Sequence, residues 1–322
     1  MRQAGQHRLA PVGRRRAIGN LAIPLLLCCL NSPASAQWFD RQSMLATVLI
    51  ERSDGEAVVP HGTGFLLWNY ASPNSPIIVT CAHLLKRDKV LVRVNADSSL
   101  IAFATRTRQR FIRVNGRTWE VVDRTLRTEI DLHTLGPGAL ATDSLSDVGA
   151  FIIDVGSHIQ VGTDQPGMKF ADVIKISASA MRRRQALSLG DELYFVGFPC
   201  GIGVGTQLEP VIRSGSVAWL SQASHEFLID ALSYGGNSGS PVFSKAIFGR
   251  RPGDASWDAP YLVAMVIGHV SNTVEGVLVQ PDPKRPVVER QSVASNIGLV
   301  RCVWIDDILK VTQQLGAACV VR

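Results

Sequence analysis

The sequence predicts an all-β protein, a barrel or sandwich built from short strands. Three observations carry this. Short apolar runs recur along the chain, bounded by clusters of Gly, Pro, Asn, Asp and Ser. Long amphipathic helical patterns are missing until the last 20 residues or so. The runs are closely spaced and are not separated by crossover helices, which favours a sandwich or barrel over a doubly wound α/β fold.

In chain order the candidate strands are Gly64–Trp68, Ile77–Thr80, Val90–Val94, Ala150–Asp154, Leu193–Gly197, Phe227–Asp230 and Tyr261–Ile267. Residues 93–143, rich in Arg and Thr, read as strands with an enlarged loop. Residues 162–185 carry Pro166, Gly167 and Arg182-Arg183-Arg184, and read as a solvated connection between two halves. Gly201-Ile202-Gly203-Val204-Gly205 has the wrong spacing for a dinucleotide-binding G-x-G-x-x-G and no crossover helix follows, so it predicts a mobile loop. Trp304, Ile305, Ile308, Val311 and Leu315 recur at helical spacing and predict a terminal helix.

The first 39 residues contain no acid. Arg8, Arg14, Arg15 and Arg16 precede the apolar run Leu21 to Leu30, and Ala34-Ser35-Ala36 supplies small residues at a cleavage point. This is the pattern of a secretory signal peptide cleaved after Ala36, with a secreted or periplasmic product. Its ten-residue core is too short to span a bilayer, so stable membrane insertion is not expected. Loss of its five arginines lowers the formal charge from +6 to +1, so the basic character gives no reason to expect a nucleic-acid partner. Four cysteines remain: Cys81, Cys200, Cys302 and Cys319. None forms a zinc-binding spacing, so no metal is expected. Export permits disulfides, and Cys302 with Cys319 is the pair to test first.

Three motifs carry chemistry. Gly235-Gly236-Asn237-Ser238-Gly239-Ser240-Pro241 places a serine in a glycine-walled turn, where its hydroxyl and nearby N–H groups can face one point. Thr80-Cys81-Ala82-His83 ends the apolar run Ile77-Ile78-Val79. Asp147 opens the apolar strand Val148 to Ile153. A serine needs a base to take its proton, and an imidazole does so near neutral pH before returning it to a leaving amine. A carboxylate on the other ring nitrogen fixes the tautomer and stabilises the imidazolium. Taken singly, each motif is a common turn, a buried histidine or a strand-end cap; it is their combination that points to catalysis.

Together these segments resemble those of trypsin-like serine peptidases. They occur in the order His, Asp, Ser, with a glycine-framed Gly62-Thr63-Gly64-Phe65-Leu66-Leu67 strand before the histidine. The α/β-hydrolases and subtilisins use other orders. Leu189-Gly190-Asp191-Glu192-Leu193 leading to Gly197-Phe198-Pro199, with Arg213-Ser214-Gly215-Ser216, is similar to Deg/HtrA-type and other bacterial secreted members. The resemblance implies two six-stranded antiparallel β-barrels with the active site between them and a C-terminal helix. After residues 1–36, residues 37–165 would form the first barrel and 166–322 the second, with the connection and helix. The chain ends soon after that helix, leaving no room for the PDZ module of many Deg/HtrA-type proteases.

By the same resemblance Ser238 is the nucleophile, His83 the general acid/base and Asp147 the orienting carboxylate. Asp131, Asp143 and Asp154 lie nearby, but Asp147-Val148-Gly149-Ala150-Phe151 matches the family pattern. The N–H groups of Gly236 and Ser238 form the expected oxyanion hole. Leu232, six before the serine, is the expected pocket floor, and His269 stands on the strand that walls the pocket. An aliphatic floor favours Val, Ala or Leu at the cleaved position, whereas a pocket histidine, as in glutamyl endopeptidases, favours an acid. Asn237 replaces the aspartate that receives a new N-terminus in zymogen-type relatives, so no second activating cleavage is expected. No cofactor is implied. The implied partner is a protein or peptide substrate, with the oligomeric state left open. A non-catalytic binding protein on the same scaffold is the alternative. A lipase or esterase would need G-x-S-x-G, and the fifth position is Ser240.

Overall fold

The computed structural model describes residues 44–69, 75–96, 98–114, 117–153, 176–177, 180–183, 187–221, 223–244, 260–280 and 287–316. The chain divides into two compact units, Met1–Gln37 and Trp38–Arg322. The expected signal segment and its cleavage point lie outside the described residues, as does most of the 162–185 connection.

In the larger unit the first half is β1 (Thr47–Asp54), β2 (Ala57–Leu67), β3 (Ile77–Cys81), β4 (Lys89–Asn95), helix α1 (Ser98–Thr107), β5 (Phe111–Val114), β6 (Arg117–Val122), β7 (Thr125–Asp131), β8 (Leu140–Asp143) and β9 (Val148–Ile152). The second half is β10 (Glu192–Gly197), β11 (Val211–Leu220), β12 (Glu226–Asp230), β13 (Pro241–Ser244), β14 (Tyr261–Gln280), β15 (Val287–Trp304) and helix α2 (Ile305–Gln313). The second half closes into a six-stranded barrel in the order β10-β11-β12-β15-β14-β13.

The expected first six-stranded barrel is instead one open nine-stranded sheet, ordered β5-β6-β7-β4-β1-β2-β3-β9-β8. The 93–143 segment causes the difference. It holds four of the expected strands, with α1 in place of an enlarged loop; the β5–β6 hairpin extends one edge and β8 the other, and these edges do not pair.

The continuous apolar runs follow from burial on both faces of the central strands. Phe65, Leu67, Ile77, Val79 and Cys81 enter one core, while Leu66 and Ile78, alternating with them, enter another. The first of these cores also takes Val196, Phe243, Met265 and Val303 from the barrel, so it cements the two halves. The barrel interior is a third core, in which the rings of Phe227 and Trp304 lie 4.3 Å apart. Helix α2 packs on more than the barrel: Ile308, Leu309 and Val311 share a cluster with Ala141, Val148 and Ala150.

Three sequence expectations are revised here. The Gly201–Gly205 loop is pinned to the first sheet, since Arg93 donates to Gly205 O at 3.0 Å and Asn95 exchanges two hydrogen bonds with Leu208. Arg182 is not a solvated linker charge, because its guanidinium sits 3.7 Å above the Tyr261 ring. Strand β14 runs on to Gln280, paired with β15 through Gln280 and Val287, rather than stopping at Ile267. Cys302 is a buried free thiol in the barrel wall, and its suggested partner Cys319 lies outside the described residues. No described helix is long and apolar enough to cross a membrane.

Candidate active site

His83 and Asp147 are joined by two hydrogen bonds. Strand β3 ends at Cys81, and a 3-10 turn over Ala82–Leu85 carries His83 out of the core. Its backbone N–H donates to Asp147 Oδ1 at 2.9 Å, and Nδ1 lies 2.6 Å from Oδ2. The Ala82 N–H donates to the Asp147 carbonyl at 3.0 Å. These contacts hold Asp147 with φ at 54°, in the left-handed region that few side chains adopt but aspartate tolerates. Such a conformation costs on the order of 1–3 kcal/mol and persists where the surroundings overdetermine it.

The neighbouring acids are otherwise engaged. Asp143 accepts from the Leu145 N–H and from the buried Ser146 hydroxyl, the latter at 2.6 Å. The Ser146 hydroxyl chiefly, helped by the backbone N–H groups of Leu145 and Ser146, holds the Asp143 carboxyl below its usual range. Asp131 accepts from the His133 N–H at 3.0 Å. Asp154 lies outside the described residues.

Ser238 reaches the same seam from the barrel side. The Thr63 N–H donates to the Ser238 carbonyl at 2.8 Å, and the Gly239 N–H donates to Val266 O at 2.8 Å. The Thr80 hydroxyl donates to Thr63 O at 2.6 Å and so ties the approach strand of His83 to the strand that holds the serine. Gly239, with φ at 88°, lies so close to Thr63 O that any Cβ would collide. Gly236, with φ at 95°, would likewise drive a Cβ into the Phe198 carbonyl. Neither the Gly236 N–H nor the Ser238 N–H donates to a protein acceptor among the described residues. The Ser238 hydroxyl is half-buried and also makes no hydrogen bond there, so no direct bond joins it to His83.

Thr63, Asn237 and Asn296 hold this turn. The Thr63 hydroxyl donates to Gly236 O at 2.6 Å and accepts from the Phe198 N–H at 3.2 Å. Buried Asn237 donates to Ser233 Oγ at 3.3 Å, and Asn296 on β15 donates to Ser233 O. The glycines either side of Thr63 were a legible signal; Asn296, 63 residues from Ser233, was not. Leu232 is 46 % exposed and follows Ala231, whose N–H donates to Gly298 O at 2.9 Å. His269 is exposed on β14 opposite Val300. Leu232 thus stands just past β12 and His269 on the β14–β15 ladder.

Cys81 Sγ, His83 and Asp147 place their polar atoms within 4.8 Å of one another, a spacing compatible with a metal. The chemistry of the donors does not suit one. Burial pushes the Cys81 thiol well above its usual range, which keeps it protonated and donating to Val266 O at 3.3 Å. The Nδ1 of His83 already serves Asp147.

The chain matches the trypsin-like peptidase domain over residues 62–247. It belongs to the family of trypsin-like peptidases, serine endopeptidases within the hydrolases. No curated protein matches it significantly. Among solved structures it is similar to the protease Anisep from Arthrobacter nicotinovorans, at 12% identity and a TM-score of 0.41, covering 84% of this chain and 95% of that one. An HtrA-type protease with a decapeptide matches at 12% identity and a TM-score of 0.39, covering 84% and 63%. A thermostable serine protease from an extremophilic microorganism matches at 10% identity and 0.39, covering 82% and 92%. The domain match, which spans more than half of the chain, is what assigns the family.

Proposed function

We propose that this endopeptidase works outside the cytoplasm through Ser238, His83 and Asp147 and an acyl-enzyme intermediate. In this reading His83 takes the Ser238 proton as Oγ attacks the scissile carbonyl. The free N–H groups of Gly236 and Ser238 receive the oxyanion. His83 then protonates the departing amine, and water attacks the acyl-enzyme by the reverse sequence. These steps use side chains and backbone alone. The observation that carries the proposal is the two-point clamp of Asp147 on His83, through the backbone N–H and Nδ1, which leaves Nε2 as the atom to act as the base. Export rests on the N-terminal pattern ending at Ala36.

The missing direct bond between Ser238 and His83 is the one observation that favours a non-catalytic binding protein. Catalytic hydrogen bonds in unliganded enzymes are often long and tighten with substrate. The deciding experiment is peptide hydrolysis by protein starting at Gln37. Ser238→Ala and His83→Ala should each reduce turnover by on the order of 10⁴ or more, and the double variant should lose no more than either alone. Full turnover by folded Ser238→Ala would refute the assignment.

A further inference from the structure

A cleft lined by Arg52 and Arg87 lies on the first sheet, and Arg87 follows the turn that carries the proposed catalytic base. It begins with a bulge. Ile50 pairs with Gly62 and Glu51 with Pro60, so His61 is the extra residue of the β1–β2 ladder. A bulge kinks its strand and re-aims the side chains around it. His61 is two residues from Thr63, whose N–H holds the Ser238 carbonyl. Arg52 stands in the same hairpin, opposite Val59. Arg87 lies just past the 3-10 turn that carries His83.

Arg52 and Arg87, with Asp88, Lys89 and Glu129, line a cleft of about 200 Å³. Lys89 is neutralised by Glu129 at 2.7 Å, and Asp88 pairs with His133 at 2.8 Å. The two arginines have no ionic partner among the described residues. Arg52 is half-buried and its Nε has no acceptor among the described residues, so the remaining guanidinium N–H groups are the ones a ligand carboxylate would meet. Burial first, then Arg52, Arg87 and His83, hold the His61 imidazole below its usual range. His61 therefore stays neutral at neutral pH, and the positive field of the cleft belongs to the arginines.

The direction of a bound substrate follows from the chemistry. The acyl half lies toward β14, which is bonded to the serine turn through Val266, Gly239 and Ser240. The leaving amine must face His83 to be protonated, so the chain beyond it runs past Gly62 and His61. We infer that Arg52 and Arg87 form a carboxylate-binding subsite for the leaving side of the substrate, selecting Asp or Glu in the first few residues after the cleaved bond. The inference rests on the catalytic reading above and adds the substrate class.

The test is kcat/KM for peptides identical except for Glu, Gln or Lys at the leaving-side positions, using protein that starts at Gln37. Glu should exceed Gln by about three- to tenfold, the scale of one or two partly exposed ion pairs. Near 1 M salt, where the Debye length is about 3 Å, the ratio should fall toward one. The Arg52→Gln, Arg87→Gln double variant should erase the ratio, and Arg87→Glu should turn it toward Lys. The ratio is read within each variant, so loss of overall activity does not obscure it. A Glu to Gln ratio of one in the unaltered protein, or one that survives in the double variant, overturns the subsite. If Ser238→Ala is inactive while the ratio is flat, the subsite alone fails. Hydrolysis of none of the peptides overturns both readings.

Discussion

At the scale of single residues, the site depends on backbone positions that tolerate no side chain and on hydroxyls that have no substitute. Gly236→Ala would set a Cβ against the Phe198 carbonyl at a φ of 95° and turn its N–H away from the seam. Loss of one oxyanion donor costs about 10²–10³ in kcat. Steady-state kinetics should therefore show kcat falling far more than KM rises. An unchanged kcat would remove the Gly236 N–H from the mechanism. Thr63→Val keeps the shape but strands the Gly236 carbonyl and the Phe198 N–H, both bonded to the hydroxyl. We expect a loss of about 1–3 kcal/mol in denaturant unfolding, with kcat reduced because the serine turn loosens. Thr63→Ser should restore much of both.

At the scale of elements, the turn between β8 and β9 presents Asp147, and Asp143 organises that turn. The folded state depresses the Asp143 pKa, with the Ser146 hydroxyl as the main cause. A depressed carboxyl contributes stability that is present above its unfolded value of about 3.9 and is lost as pH falls through the folded value. Asp143→Asn should thus be less stable than the parent at neutral pH, and the gap in unfolding free energy should close in acid below about pH 4. A gap independent of pH would show that the carboxylate charge does not hold the turn.

What was legible in the sequence follows the same division. His83 and Asp147 were legible because each ends or opens an apolar strand, and burial on both faces left those strands unbroken. The open nine-stranded sheet was not, because closure depends on whether edge strands meet, and β5, β6 and β8 sit in a polar stretch with weak patterning. The outer half of β14 was missed because its apolar and polar residues alternate loosely around Gly276. Asn296 was invisible, since only barrel closure brings it to Ser233.

For the whole molecule, the shared core and the pinned 201–205 loop bind the two halves into one frame. Asn237 is buried and neutral, and its amide N–H bonds Ser233, so a charged terminus would meet no carboxylate at this position. Protein beginning at Gln37 should be active as folded. Activity that appears only after a second defined cleavage would contradict this. Digestion of a peptide library should show cleavage after Val, Ala or Leu, in line with Leu232; cleavage after Glu that disappears in His269→Ala would transfer the pocket to the histidine. The central claim, an activated serine at position 238, is tested most directly by a fluorophosphonate probe followed by peptide mapping. The account predicts one adduct, on Ser238, that is lost in His83→Ala. No adduct on folded protein, or one elsewhere with Ser238 untouched, would contradict it.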